Sequence, residues 1–276
     1  MLLLFCVALL VLCGCNTDAV LDDAAEVQSV TLFADAQVGG EFVYPYGEVT
    51  VASDAADQAG FTDGVTVNTG VSALDVLVAL HEALYGEAFA EDPAAYLVVE
   101  DGWIRTAFEK STDSWSVICN GESAHSDEES SYGGFEALML HQTEVADGDA
   151  VEFVAYQDVV NYADQALWFM AEGTRITALE LAAGEEFSLN VQGYTYSLYG
   201  AYGTEAIANT CLLPVAGVQL GLMAADGSIT PIDGAVCDDA GNVTLMLAEA
   251  GDYTVVAYVP PGDAVAFGSV LTVTVQ

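Results

Sequence analysis

The residues with the most reactive side chains are three histidines, His81, His125 and His141, and the cysteines Cys119, Cys211 and Cys237. Their spacing argues against catalysis. No H-E-x-x-H run occurs, no serine lies in G-x-S-x-G, and no C-x-x-C pair exists in the chain beyond Cys15. His81 flanks the apolar stripe of a helical pattern and reads as a structural histidine. Cys119 lies in an apolar strand pattern and reads as a buried thiol. Acidic residues are so abundant that no pair stands out as a glycosidase-type couple. The D-x-D-x-D-G spacing of a calcium loop is absent, which leaves Asp127, Glu128 and Glu129 as a weak calcium contact at most. No catalytic residue, metal site or cofactor is expected, and a hydrolase using acidic residues is the weakest functional class.

Aromatic residues offer the better ligand chemistry. Trp103 and Trp115 each open a short strand, and Tyr132 and Phe135 flank Gly133-Gly134. Tryptophan anchors ligands as well as cores, and Gly-flanked aromatics can fold over a flat molecule. Trp103, Trp115, Tyr132 and Phe135 are therefore the candidate ligand-binding residues. The competing reading makes them core, covered by a later segment of the chain.

Charge narrows the partners. The 276 residues carry 42 acidic and 3 basic side chains, a net charge of −39, with 53% hydrophobic residues. The basic side chains are Arg105, Lys110 and Arg175, and none follows Ile176. Such a surface repels phosphate backbones, so nucleic acid is excluded as a partner. Small molecules or surface proteins are compatible with it.

The elements that must position these residues begin after an apolar run, Leu2 to Leu12, too short to span a membrane. Leu12-Cys13-Gly14-Cys15 resembles a bacterial lipobox. The resemblance implies a signal peptide over 1–14, lipid on Cys15, and a protein anchored on the extracellular face of a bacterial membrane. Residues 15–28 then read as an acidic tether. Outside the cytosol a disulfide persists, and Cys211 and Cys237, the two cysteines of the second half, are expected to pair.

Strands are expected from Ser29 to Asp35 and from Glu41 to Ser53, turned at Gly39-Gly40. A helix follows, capped by Ser72 with Asp75 in a capping box and ended by Gly86 in the left-handed conformation. Leu74, Leu77, Val78 and Leu84 recur at helical spacing, with Asp75, Ala79 and Glu82 on the solvent face. Short strands follow at Tyr96 to Val99, Trp103 to Phe108, Trp115 to Cys119 and Val151 to Tyr156. Asn120-Gly121 is a hairpin signal, and His125 to Gly134 reads as a polar loop. From Thr177 the pattern is all-β, alternating at Phe187-Leu189-Val191, Val218-Leu220-Leu222, Val243-Leu245-Leu247 and Tyr253-Val255-Ala257.

S-A-L-D-V-L, W-S-V-I-C-N-G-E-S-A and D-G-D-A-V-E-F together resemble the C-terminal domain of transcobalamin and intrinsic factor. The resemblance spans roughly residues 67 to 157 and implies an α+β, β-grasp-like domain over 29–175. In that family the domain closes over a corrinoid, so a corrinoid-like ligand is an expectation. D-D-A-G-N-V-T-L-M-L-A-E-A-G-D-Y-T-V resembles bacterial immunoglobulin-like and collagen-adhesin B-type repeats. It implies an immunoglobulin-like β-sandwich over 176–276, in which the absence of lysine rules out a Lys–Asn cross-link. Two functional classes stay open: a surface protein that captures a small ligand or peptide, and a structural or adhesive surface protein with no such ligand.

Overall fold

The structure, a computed structural model, describes residues 27–61, 70–112, 114–129, 135–158, 164–195, 212–260 and 266–276. Cys15, Tyr132 and Cys211 lie outside these residues, and so do the lipidation and disulfide expectations. The backbone of Phe135 is described and its side chain is not.

β1 (Ser29–Val38) and β2 (Glu41–Ala52) form the expected hairpin, longer than predicted on its first strand. The short α1 (Ala55–Gln58) precedes α2 (Ala73–Tyr85). The capping box closes as its sequence predicts. The Asp75 N–H donates to Ser72 Oγ at 3.3 Å, and the Ser72 N–H donates to the Asp75 carboxylate at 2.9 Å. Three expectations for this helix fail. Asp75 is fully buried rather than solvent-facing, because its carboxylate also accepts the Ala56 N–H at 3.0 Å and ties α1 down. Leu84 is 44% exposed, one turn beyond the end of the covered stripe. Gly86 ends the helix at φ 56° and ψ −128°, a glycine conformation but not the left-handed helical one expected.

After α3 (Glu87–Glu91), β3 (Val98–Glu100), β4 (Trp103–Ala107) and β5 (Lys110–Ser111) make a small antiparallel sheet. Next come β6 (Trp115–Cys119) and β7 (Glu122–Ser123), joined across Asn120-Gly121 at φ 52° and 80°. Where a polar loop was expected, β8 (His125–Glu129) and β9 (Phe135–Ala137) pair as a ribbon. β10 (Ala150–Ala155) completes the first unit. Its sheet runs β2-β1-β10-β6-β7, with β1 and β10 parallel at the centre and the other pairs antiparallel. Alternation sends Leu32, Ala34, Ala36, Val151, Phe153 and Ala155 into one core with Leu74 and Leu77 of α2.

The second unit comprises β11 (Gln165–Ala171), β12 (Thr174–Arg175), β13 (Ala178–Leu181), β14 (Glu186–Thr195), β15 (Leu213–Pro214), β16 (Gln219–Met223) and β17 (Ile229–Val236). It ends with β18 (Asn242–Met246), β19 (Gly251–Tyr258), β20 (Ala266–Phe267) and β21 (Ser269–Val275). One sheet runs β12-β11-β14-β15, with β18 also on β14 and β20 on β11; the other runs β13-β21-β19-β16-β17. Phe169, Leu189, Val191 and Leu245 from the first meet Leu220, Val255, Leu271 and Val273 from the second, so this half is an all-β sandwich.

The unit boundary differs from the sequence reading, which kept residues to Arg175 with the first unit. β11 pairs with β14 along Gln165 to Met170 and so belongs to the sandwich by hydrogen bonding. Its side chains divide. Leu167 and Phe169 enter the sandwich core, whereas Ala166, Trp168 and Met170 join Phe267 against Ile118, Val154 and Tyr156 on the outer face of the first sheet. One strand thus closes two cores.

Polar contacts fasten this seam. Gln37 Nε2 donates to the Gly268 carbonyl at 3.0 Å, and the Gly268 N–H donates back to Gln37 Oε1 at 2.7 Å. Trp168 Nε1 donates to the Gly121 carbonyl at 3.1 Å, while Arg175 donates to the Asn120 carbonyl and stacks over the Trp168 ring at 4.7 Å. Gly40, at φ 83°, rests against the Ala266 carbonyl where a side chain would collide.

Candidate functional site

The four candidate aromatics do not converge. Trp115 is 6% exposed and faces the core of the first unit, 6.0 Å from the Phe108 ring, with Nε1 donating to the Lys110 carbonyl at 3.3 Å. Its role is packing, which corrects the ligand-binding expectation for this residue. Trp103 is 42% exposed, while Trp168 is 5% exposed within the seam. Trp103 is therefore the tryptophan available to a ligand.

Local structure fixes its surroundings. Asp101 and Gly102 take φ 52° and 80°, the tight turn that lets β4 fold back on β3 with Trp103 opposite Glu100. Gly102 has no room for a side chain, because Met139 and His141 would lie 2.8 and 2.9 Å from its Cβ. The Leu140 N–H donates to the Gly102 carbonyl at 3.3 Å, and the Leu138 N–H to the Ala124 carbonyl at 3.0 Å. The 138–143 loop is thereby held between the Trp103 turn and the β8–β9 ribbon. Phe135 opens β9 and Tyr132 falls between the ribbon strands, in the segment outside the described residues. The 138–143 loop thus links the Trp103 turn to the start of the ribbon, and Trp115 lies apart in the core.

His141 was not predicted for this rim. It is 9% exposed, its Nδ1 is buried without a hydrogen-bond partner, and burial holds its pKa below the ordinary histidine range. Its ring lies against Gly102, the residue before Trp103, with Nδ1 turned away from solvent. Sequence offered no signal for it beyond its type. Arg105, two residues after Trp103, has Nε 3.4 Å from Glu100 in a surface ion pair, an arrangement worth little to stability.

The other candidates for chemistry lose their case. His81 is fully buried: Nδ1 pairs with the Leu77 carbonyl at 2.8 Å and Nε2 accepts the Phe108 N–H at 3.2 Å, the structural role expected. The Cys119 thiol is pushed up to about 12, by burial first and then by the Asp149 and Glu152 charges, so it is not a thiolate nucleophile. Burial and Asp238 push the Cys237 thiol up to about 11. Among the described residues no group of three or more His, Cys, Asp and Glu side chains could hold a metal ion.

Comparison with known proteins adds no function. No family model matches the chain, and no curated protein does. Among solved structures, Sidekick-1 immunoglobulin domains 1–4 is similar over 59% of this chain and 40% of its own, at 11% identity and a TM-score of 0.23. The Bacteroides ovatus mixed-linkage glucan utilization locus protein SGBP-B, solved with a mixed-linkage heptasaccharide, is similar over 59% of this chain and 60% of its own, at 9% identity and a TM-score of 0.21. A segment of titin is similar over 59% of this chain and 83% of its own, at 12% identity and a TM-score of 0.22. Likeness at this level carries no inference about ligand or activity.

Proposed function

We propose that this chain is a lipid-anchored extracellular binding protein, not an enzyme, that captures a small, flat, corrinoid-like ligand at the Trp103 rim. In this reading the first unit is a β-grasp-like domain, in keeping with its strand order and with α2, the long helix that covers its sheet. The second is an immunoglobulin-like sandwich that braces it. The observation that carries the proposal is the exposure of Trp103 on the tight Asp101-Gly102 turn. Cobalamin titrated against tryptophan emission should quench the protein saturably. Trp103→Ala should abolish the response while leaving the melting temperature within about 1 °C, as expected of a surface position. No quenching at millimolar cobalamin would sink the ligand reading.

The alternative is a structural or adhesive surface protein. It is favoured by a different observation: Ala166, Trp168, Met170 and Phe267 cover the outer face of the first sheet, so that face is not free for a ligand. Both readings place the protein at a membrane surface through Cys15. Cys15→Ser is expected to move the exported protein from the detergent phase to the aqueous phase, and an unchanged partition would remove the anchor.

A further inference from the structure

Asp35 on β1 and Glu152 on β10 are register partners across the parallel centre of the first sheet. Alternation with the helix-facing Ala34, Ala36, Val151 and Phe153 turns both toward the seam. Asp35 is 1% exposed. One of its carboxyl oxygens accepts from Gln37 Nε2 at 3.0 Å, and the other, Oδ2, is buried without a hydrogen-bond partner. The same Gln37 makes the reciprocal bonds to Gly268. The ionisable groups that face the pair are Tyr46 from β2, Arg175 from β12 and, beyond Glu152, Cys119 from β6. Arg175 is the cation among them, and it is already engaged by Asn120 and the Trp168 ring.

Two neighbouring carboxylates, one fully buried and one half-buried, cannot both hold charge without a large penalty. We propose that Asp35 and Glu152 make the seam a proton-operated joint, closed while the pair retains a proton and loosened when both carboxyls ionise. The bond network gives the mechanism a path. Asp35 positions Gln37, and Gln37 holds β1 to the Gly268 backbone between β20 and β21.

The direction of the effect follows from the environment. Burial raises the Asp35 pKa, and the Glu152 charge raises it further; burial holds Glu152 at about 7, against the pull of Arg175. A carboxyl released into water titrates near 4. Opening is therefore favoured by up to about tenfold per pH unit as pH rises from roughly 4.5 to 7 through the Glu152 proton, and further for as long as Asp35 keeps its own.

Hydrogen exchange on the full chain between pH 5 and 8 tests this, with wild type, Glu152→Gln and Asp35→Asn compared at each pH so that intrinsic exchange cancels. Protection of the Gly268 amide, which donates across the seam to Gln37, should fall in wild type relative to both variants by about tenfold or more across the range, while β11, held by β14, and β19 and β21 stay protected. Identical pH profiles in wild type and Glu152→Gln would overturn the proposal. So would loss of protection that spreads to β19 and β21 in step, since that is global unfolding. If Asp35→Asn does not fold, Glu152→Gln, at a less buried position, decides alone.

Discussion

Trp168→Ala is expected to destabilise the protein by about 3–5 kcal/mol, the usual range for truncating a buried tryptophan. The side chain is the largest in the seam cluster with Ile118, Val154, Tyr156, Met170 and Phe267. Its loss also leaves the Gly121 carbonyl without the indole donor and Arg175 without the ring beneath it. Because β11 remains paired to β14, the sandwich core should survive. Calorimetry should therefore show the wild-type transition split, with the first unit melting at the lower temperature. Trp103→Ala is the internal control, with an effect within about 0.5 kcal/mol. Equal losses in the two variants, or a single undivided transition in Trp168→Ala, would contradict the shared core.

Acid should unfold the protein through His81. Both ring nitrogens are committed in the neutral state: Nδ1–H donates to the Leu77 carbonyl and Nε2 accepts from Phe108. A proton on Nε2 would face the Phe108 N–H, donor against donor. Burial lowers the pKa to about 4, opposed in part by the Leu77 bond. The unfolded chain takes its proton near 6.5, so stability present above that pH is lost as pH falls toward 4, by about 3 kcal/mol in total. Urea unfolding of wild type should show this loss between pH 6.5 and 4. His81→Gln, weaker at neutral pH, should lack that part of the slope. The Asp35–Glu152 pair acts in the opposite sense, losing stability as pH rises toward 7, so the two effects separate only by variant. A His81→Gln profile parallel to wild type would refute the assignment.

Much of the local structure was legible in the sequence. Ser72 and Asp75 announced a helix start, and Asn120-Gly121 a tight turn, because capping and left-handed turns depend on side chains a few residues apart. The candidate site was only half legible. Trp103 and Trp115 both open five-residue strands, and alternation alone does not say which one meets a core. Asp35 was harder still. In a chain of net charge −39 an aspartate on a strand looks like solvated surface. That its face is covered depends on β11 and Phe267, more than a hundred residues away in sequence. Asp75 misled for a similar reason, since its second partner, the Ala56 amide, sits on a different helix.

The double-faced strand β11 has a kinetic consequence. The bonds that seat the first sheet join residues 231 positions apart, Gln37 to Gly268. While the chain is being synthesised, β11 follows β10 directly and can bring Trp168 and Met170 to the outer face early, but the part that Phe267 covers stays open until the last strands have emerged. Loop closure over that span is slow, and the incompletely covered surface around Tyr156 is prone to association while it waits. The nascent protein needs either a chaperone over that face or its heavy negative charge to keep neighbouring copies apart until Phe267 arrives.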